Sequence, residues 1–144
     1  MIEGVLIPTT ERMTACVSSQ VGCSLTCKFC ATGTMERKRN LSFDEIYDQV
    51  VYILQQSEET YDKHLSNIVF MGMGEPLMNY HNVLKAIEKI TSPDGLGMSA
   101  KRITVSTAGL VKQIRQLGDD NVKFKLAISL HAPNDKKRNE IMPI

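Results

Sequence analysis

Three cysteines fall within one stretch of eight residues, Cys23-Ser24-Leu25-Thr26-Cys27-Lys28-Phe29-Cys30. The spacing C-x3-C-x2-C puts three thiolates on a single loop, enough to hold three corners of a cubane iron–sulfur cluster while the fourth iron lacks a protein ligand. An iron with an open position can bind a small molecule and deliver an electron to it. All four cysteines of the chain lie between Cys16 and Cys30. Disulfides that stapled a domain of this size would be spread along it, so a metal or redox centre fits better. A structural zinc site with Cys16 as fourth donor is the competing possibility, because closed tetrahedral sites need four ligands. Such sites usually pair cysteines as C-x2-C at both ends, whereas Cys16 stands seven residues before Cys23 on a segment of strand character.

Other candidates cluster in three short motifs. Met71-Gly72-Met73-Gly74-Glu75-Pro76 follows an apolar run, Ser106-Thr107-Ala108-Gly109 ends a second, and Ser129-Leu130-His131 ends a third. A carboxylate after two glycines can meet a ligand's ammonium group while the glycine backbone approaches closely; the glycines equally suit a tight turn, where positive φ costs them nothing. Ser106 suits a ribose or carboxylate contact, or a helix cap. His131 suits a ligand contact, or a packed or capping histidine. The stripe Val69, Met71, Met73 and Met78 reads as core. Lys28, Arg37, Lys38 and Arg39 surround the cysteine loop and fit either phosphate contacts or a solvated loop. His64 and His81 receive no role.

The elements that must position these residues follow from periodicity. Val5-Leu6-Ile7 and Thr14 to Ser18 are short extended segments. Ser42, with Glu45 three residues on, opens a helix over 42–57, along which Ile46, Val50, Ile53 and Leu54 recur at helical spacing. Residues 67–71 form a continuous apolar run of strand length, residues 82–90 a helix, 101–106 a strand, 110–117 a helix and 124–130 a strand. A last helix starts at Asp135. This alternation predicts right-handed βαβ units on a parallel sheet, about four βα units in all. It also brings the cysteine loop and the three motifs to one sheet edge, where parallel-sheet folds place ligands.

A length of 144 residues with 42% apolar content suits one domain spanning 1–144. The formal net charge is +1, so the whole-chain field gives no sign of a polyanion partner, and any RNA affinity must be local. The apolar runs are far shorter than the roughly 20 residues of a membrane span, and the N-terminus lacks the signal-peptide pattern. A soluble, cytoplasmic protein with reduced thiols is expected.

Taken together, Cys16-Val17-Ser18-Ser19-Gln20-Val21-Gly22-Cys23, the cysteine loop, Arg39-Asn40-Leu41, Gly72-Met73-Gly74-Glu75-Pro76, Ser106-Thr107-Ala108-Gly109 and Ser129-Leu130-His131-Ala132 resemble the central part of the RlmN family of radical-SAM RNA adenosine methyltransferases. The resemblance covers nearly the whole chain. It implies part of a (β/α)6 radical-SAM barrel, with a 4Fe–4S cluster on Cys23, Cys27 and Cys30, and S-adenosylmethionine contacted by Gly74, Glu75, Ser106, Ser129, Leu130 and His131. It implies ribosomal and transfer RNA as substrates, methylated at carbon 2 of adenosine by way of a 5′-deoxyadenosyl radical, and an electron donor such as a flavodoxin. The related Cfr enzymes, which methylate carbon 8, share these motifs.

By the same resemblance Cys16 is the cysteine that resolves a covalent protein–RNA intermediate through a transient disulfide, and Glu3, thirteen residues before it, the proton acceptor. From the residues alone, Cys16 is an inert buried thiol and Glu3 a solvated carboxylate. The family's methyl-carrying cysteine has no counterpart, since no cysteine follows Cys30. The expectation is therefore a monomeric core fragment, truncated at its C-terminus, lacking the N-terminal RNA-gripping domain, and unable by itself to methylate RNA.

Overall fold

Alternating side chains in a strand go to opposite faces of a sheet, and the computed structural model, which describes residues 1–144, shows what each face meets. The chain runs β1 (Val5–Pro8), β2 (Met13–Cys16), β3 (Gln20–Val21), β4 (Arg39–Asn40), α1 (Phe43–Tyr61), β5 (Asn67–Phe70), α2 (Tyr80–Thr91), β6 (Ile103–Thr107), α3 (Val111–Asp119), β7 (Lys125–Ile128) and α4 (Asp135–Ile141). Five strands make one sheet in the order β1-β2-β5-β6-β7. β2, β5, β6 and β7 are parallel, as the alternation predicts, and β1 lies antiparallel on β2. This is a partial barrel wall backed by helices.

On the helix side, Ala15, Ile68, Phe70, Ile103 and Val105 are at most 1% exposed. Ile46, Val50 and Ile53 of α1 and Val83, Ala86, Ile87 and Ile90 of α2 pack over them in one core, each large side chain contributing about 1.5–3 kcal/mol by leaving water. The other face carries the row Cys16, Val69, Thr104 and Lys125, in register across four strands. No helix covers that face, which corrects the expected methionine stripe. Met73 is buried, but Val69 is only half-buried, and Met71 and Met78 are exposed.

The Ser42 cap holds as predicted. Its hydroxyl accepts from Glu45 N and its backbone N–H donates to the Glu45 carboxylate. The helix runs on to Tyr61, past its last core contact, because nothing breaks it before Asp62 turns left-handed at φ 53°. Arg39 grips Glu45 with two 2.7 Å hydrogen bonds, tying β4 to the start of α1. That guanidinium, with the Ser42 backbone, pulls the Glu45 carboxyl down to about 2. A depressed folded-state value stabilises the fold above the ordinary carboxylate range, and the contribution fades as pH falls from about 4.5 towards 2. Glu45→Gln should therefore lower the neutral-pH stability towards its acid value, modestly because the pair is solvent-screened, and so flatten the acid limb while leaving the value near pH 2 little changed, as urea titrations at each pH would show.

Two features differ from the periodicity. Lys101 and Arg102 form a 3-10 turn ahead of β6, not its first residues. The β3–β4 pair is new; at two residues each, these strands are too short to show any alternation.

Candidate functional site

The cysteine loop is an excursion closed at its base by β3 and β4. Gln20 pairs with Asn40 and Val21 with Arg39, and Lys38 N donates to Val21 O at 2.8 Å. Gly22 turns at φ 77° so close to the returning strand that an added Cβ would lie 2.1 Å from Glu36 O. Within the loop, Cys30 N donates to Cys27 O and Gly33 N to Cys30 O. Leu25 is buried in a small cluster with Ala108 and Met142, against which Cys23 and Cys27 pack. Lys28 N donates to Ile141 O at the end of α4, and the Phe29 ring lies 4.3 Å from the His131 ring. These contacts seat the loop over the C-terminal ends of β6 and β7.

All four cysteines are free and partly buried. Burial pushes the Cys23 and Cys27 thiols up; the charges of neighbouring loop thiolates and of Glu75 push them further, against a small pull from Arg37 on Cys23. Burial also raises Cys16, partly offset by the Met71 backbone, but no other cysteine acts on it. Three thiolates that repel one another in a half-buried loop call for a cation between them, which metal binding supplies as it displaces their protons. A closed tetrahedral zinc site needs a fourth donor, and Cys16, the one remaining cysteine, lies on β2 with no loop cysteine acting on it; three thiolates suffice for three corners of a cubane. The donor set fits the cluster.

At the end of β5, the two glycines pack against the β2–β3 segment. A Cβ on Gly72 would lie 2.7 Å from Ser18 Oγ and 2.8 Å from Val17 O. One on Gly74, where φ is 94°, would lie 2.5 Å from Gln20 Cβ. The missing side chains make room for protein. Glu75 is 3% exposed, and its carboxylate accepts from Leu77 N at 3.0 Å and Ala108 N at 2.8 Å. Its own N–H donates to Gln20 Oε1 at 2.9 Å. The Glu75 carboxylate thus joins the ends of β5 and β6, and its backbone N–H joins them to the cysteine-loop neck, with two lone-pair directions of the carboxylate left for a ligand. Gly74→Ala should cost at least about 2 kcal/mol in an equilibrium urea titration, since both the positive φ and the Gln20 contact oppose a side chain.

The remaining candidates are distributed as follows. Ser106 lies on the uncovered face of β6 and pairs with Ala127 of β7. Ser129 N extends that ladder to Thr107 O; Leu130 is 65% exposed, and His131 turns left-handed at φ 58° to meet Phe29. Cys16 shares Ser106's face two strands away. Glu3 is exposed and lines a groove between β1 and α1, while its carbonyl accepts from Ser18 Oγ at 2.6 Å. Cys23, Cys27, Cys30, Gly74, Glu75, Ser106, Ser129, Leu130 and His131 therefore gather at one sheet edge. Glu3 and Cys16 sit beside it, towards the β1 side.

Relatives of this arrangement are known. The sequence profile of the Radical SAM superfamily matches residues 17–144. The chain belongs to the radical SAM superfamily. It is 68% identical over 144 residues to the "Probable dual-specificity RNA methyltransferase RlmN" of Cytophaga hutchinsonii and 66% identical over 142 residues to the protein of the same name from Christiangramia forsetii. It covers 100% and 99% of itself in these alignments but 40% of each relative, so it spans well under half the length of the curated proteins it matches. The crystal structure of a radical SAM methyltransferase from Sphaerobacter thermophilus superposes with a TM-score of 0.95 at 46% identity, over 99% of this chain and 41% of that one. Membership carries the radical SAM cofactors, a 4Fe–4S cluster as the cysteine spacing predicts and S-adenosylmethionine as the family resemblance implies.

Several residues around this sheet edge escaped the sequence. Arg138 of α4 donates to the carbonyls of Ala108 and Ser129, the latter at 3.3 Å, and so joins the ends of β6 and β7. Asn79 donates to Ser19 O and Leu41 O, both at 2.8 Å, and Gln20 Nε2 to Asn40 Oδ1 at 2.7 Å. Asn79 stands just before a helix and Gln20 within a recognised motif, which offered a place to look; Arg138 offered none. No pair of cysteines is bonded, and no helix is long and apolar enough to cross a membrane.

Proposed function

We propose that this chain is the cluster- and cofactor-binding core of an RlmN-type enzyme that methylates carbon 2 of adenosine in large-subunit ribosomal RNA and in transfer RNA. The observation that carries the reading is the position of the three-thiol loop, clamped over the same strand ends that present Glu75, Ser106 and Ser129. Cys23, Cys27 and Cys30 would hold the cluster. Gly74, Glu75, Ser106, Ser129, Leu130 and His131 would bind S-adenosylmethionine. When bound, the pair supplies an electron to the sulfonium bond and a 5′-deoxyadenosyl radical.

The chain's own contribution is placement. Glu75 N–H is held by Gln20, and the Glu75 carboxylate keeps the β5 and β6 ends at a fixed separation. Phe29 and His131 close the side of the site next to β7. Cys16, on the uncovered face, would attack the sulfur of the longer enzyme's methyl-bearing cysteine in the covalent RNA adduct, forming a transient disulfide as the bond from that sulfur to the transferred carbon breaks, and Glu3 would accept the proton released from the transferred carbon. An electron carrier such as a flavodoxin and the RNA itself would be the partners.

The test is anaerobic reconstitution with iron and sulfide, reduction in the presence of S-adenosylmethionine and RNA, and mass spectrometry of the products. Stoichiometric sulfide, 5′-deoxyadenosine and, in the full chain that carries the methyl-bearing cysteine, 2-methyladenosine are expected. Methylation at carbon 8 would overturn the regiochemistry. One zinc per chain with no acid-labile sulfide would overturn the whole assignment in favour of a non-catalytic zinc module.

A further inference from the structure

Outside the cofactor site, a groove of about 620 Å³ runs from the cysteine-loop neck, past the start of α2, to the first turns of α3. Of its twelve lining residues none is acidic, in a chain that has 16 Asp and Glu. Five are amides and two are permanent cations, Arg37 and Lys112, which take no part in the chain's two ion pairs, Arg39–Glu45 and His64–Glu58. The inner amides, Asn40 and Asn79, are committed to the neck. The outer ones are Gln113 and Gln116 of α3 and Asn82 of α2, the last with its Nδ2 donating to Asn79 Oδ1 at 2.8 Å and its carbonyl oxygen left to accept. His81 is exposed at the same rim.

The groove is one link in a longer track. At one end it shares Ser24 and Arg37 with a depression lined by Cys23 and the loop's outer turn, where Glu36 stands beside Arg37. At the other it shares Lys112 and Gln116 with a depression on α3 that adds Arg115 and one carboxylate, Asp119, so the acid-free stretch is the groove between them. The track therefore starts at a cluster-loop cysteine and ends on a pair of exposed cations one helical turn apart.

We infer that this amide-lined track binds a single-stranded segment of the RNA substrate, flanking the reacting nucleotide. The inference rests on the RNA reading above and names a place for it. Lys112, Arg115 and Arg37 would neutralise phosphates, the outer amides would bond base edges in either donor or acceptor sense, and the His81 ring would stack a base. An acidic electron carrier is the other macromolecule that cations near the cluster could attract. It has no need for a floor of amides, which outnumber the cations in the groove.

The experiment uses the full chain and a short fluorescent adenosine-containing RNA, with affinity read by anisotropy across a salt series. The doubly substituted Lys112→Gln, Arg115→Gln protein should bind about tenfold more weakly, and its slope of log affinity on log salt should fall by about 1.4, the single-strand value for two phosphate contacts. His81→Ala should weaken binding about fivefold or more with the slope unchanged, because stacking is not ionic. A matched pair of neutralisations at Lys101 and Arg102, at the opposite end of β6, should change neither quantity. All five side chains are exposed, so folding is not at stake.

Unchanged affinity and slope in the α3 double variant, with the parent protein binding RNA well, would overturn the track while leaving the RNA reading intact. Failure of the parent protein to bind RNA would overturn both. Intact RNA affinity with slowed reduction by an acidic carrier protein would also overturn the inference and reassign the track to that carrier.

Discussion

Cys27→Ala is expected to abolish cluster binding. After anaerobic reconstitution the variant should hold no stoichiometric acid-labile sulfide, lack the broad visible absorbance of the parent, and yield no 5′-deoxyadenosine with dithionite. The reason lies in the count of donors. The loop offers three thiols whose charges act on one another, and Cys27 is the one that feels both others most directly. Removing it leaves two ligands for a cubane that already lacks a fourth. Cys16→Ala is the informative partner experiment. Its thiol stands outside the electrostatic reach of the loop and should be dispensable for iron, sulfide and cofactor cleavage. Were the Cys16 variant to lose metal as completely as the Cys27 variant, a four-thiolate site would be indicated instead.

Glu75→Ala should produce the largest loss of stability of any single polar substitution at the site, about 2–6 kcal/mol by urea titration. Each of the two backbone N–H groups it serves would be buried without a partner, at about 1–3 kcal/mol apiece. Against a total stability of about 5–15 kcal/mol, that is enough to leave the chain partly unfolded at physiological temperature. Glu75→Gln should fall near half-way, because an amide keeps one accepting oxygen and turns an NH2 towards the other donor. Equal stability of the Ala and Gln variants would show that the carboxylate's hydrogen bonds do not hold the strand ends together.

The two results bear on how much of this site can be read from a sequence. The cysteine loop declared itself, because ligand spacing on one short loop is a local property. The Ser42 and Glu45 box and the order of strands and helices were equally local, set by caps and periodicity. Gly72 and Gly74 were visible, but their reason was not. They read equally as a tight turn or a close approach to a ligand, and the structure shows a further reason, the packing of Ser18 and Gln20, residues more than fifty positions away in the chain. Glu75 likewise read as a partner for an ammonium group and turned out to spend two lone pairs on backbone amides. Met71 was placed in the core because apolar residues usually cover both faces of a parallel strand, whereas here only one face is covered. Arg138, which spans two strand ends, is one basic residue among several on a short polar helix, with no local signal to mark it.

The two-residue ladder between Gln20-Val21 and Arg39-Asn40 works as a drawstring. It sets the mouth of the loop by backbone pairing alone, so the geometry of the neck does not rest on a metal–ligand bond. The entropy lost in ordering the bag is then small, because its two ends already meet. Iron and sulfide would be delivered to a finished scaffold, and oxidative loss of the inorganic core would empty the bag without unravelling the wall behind it.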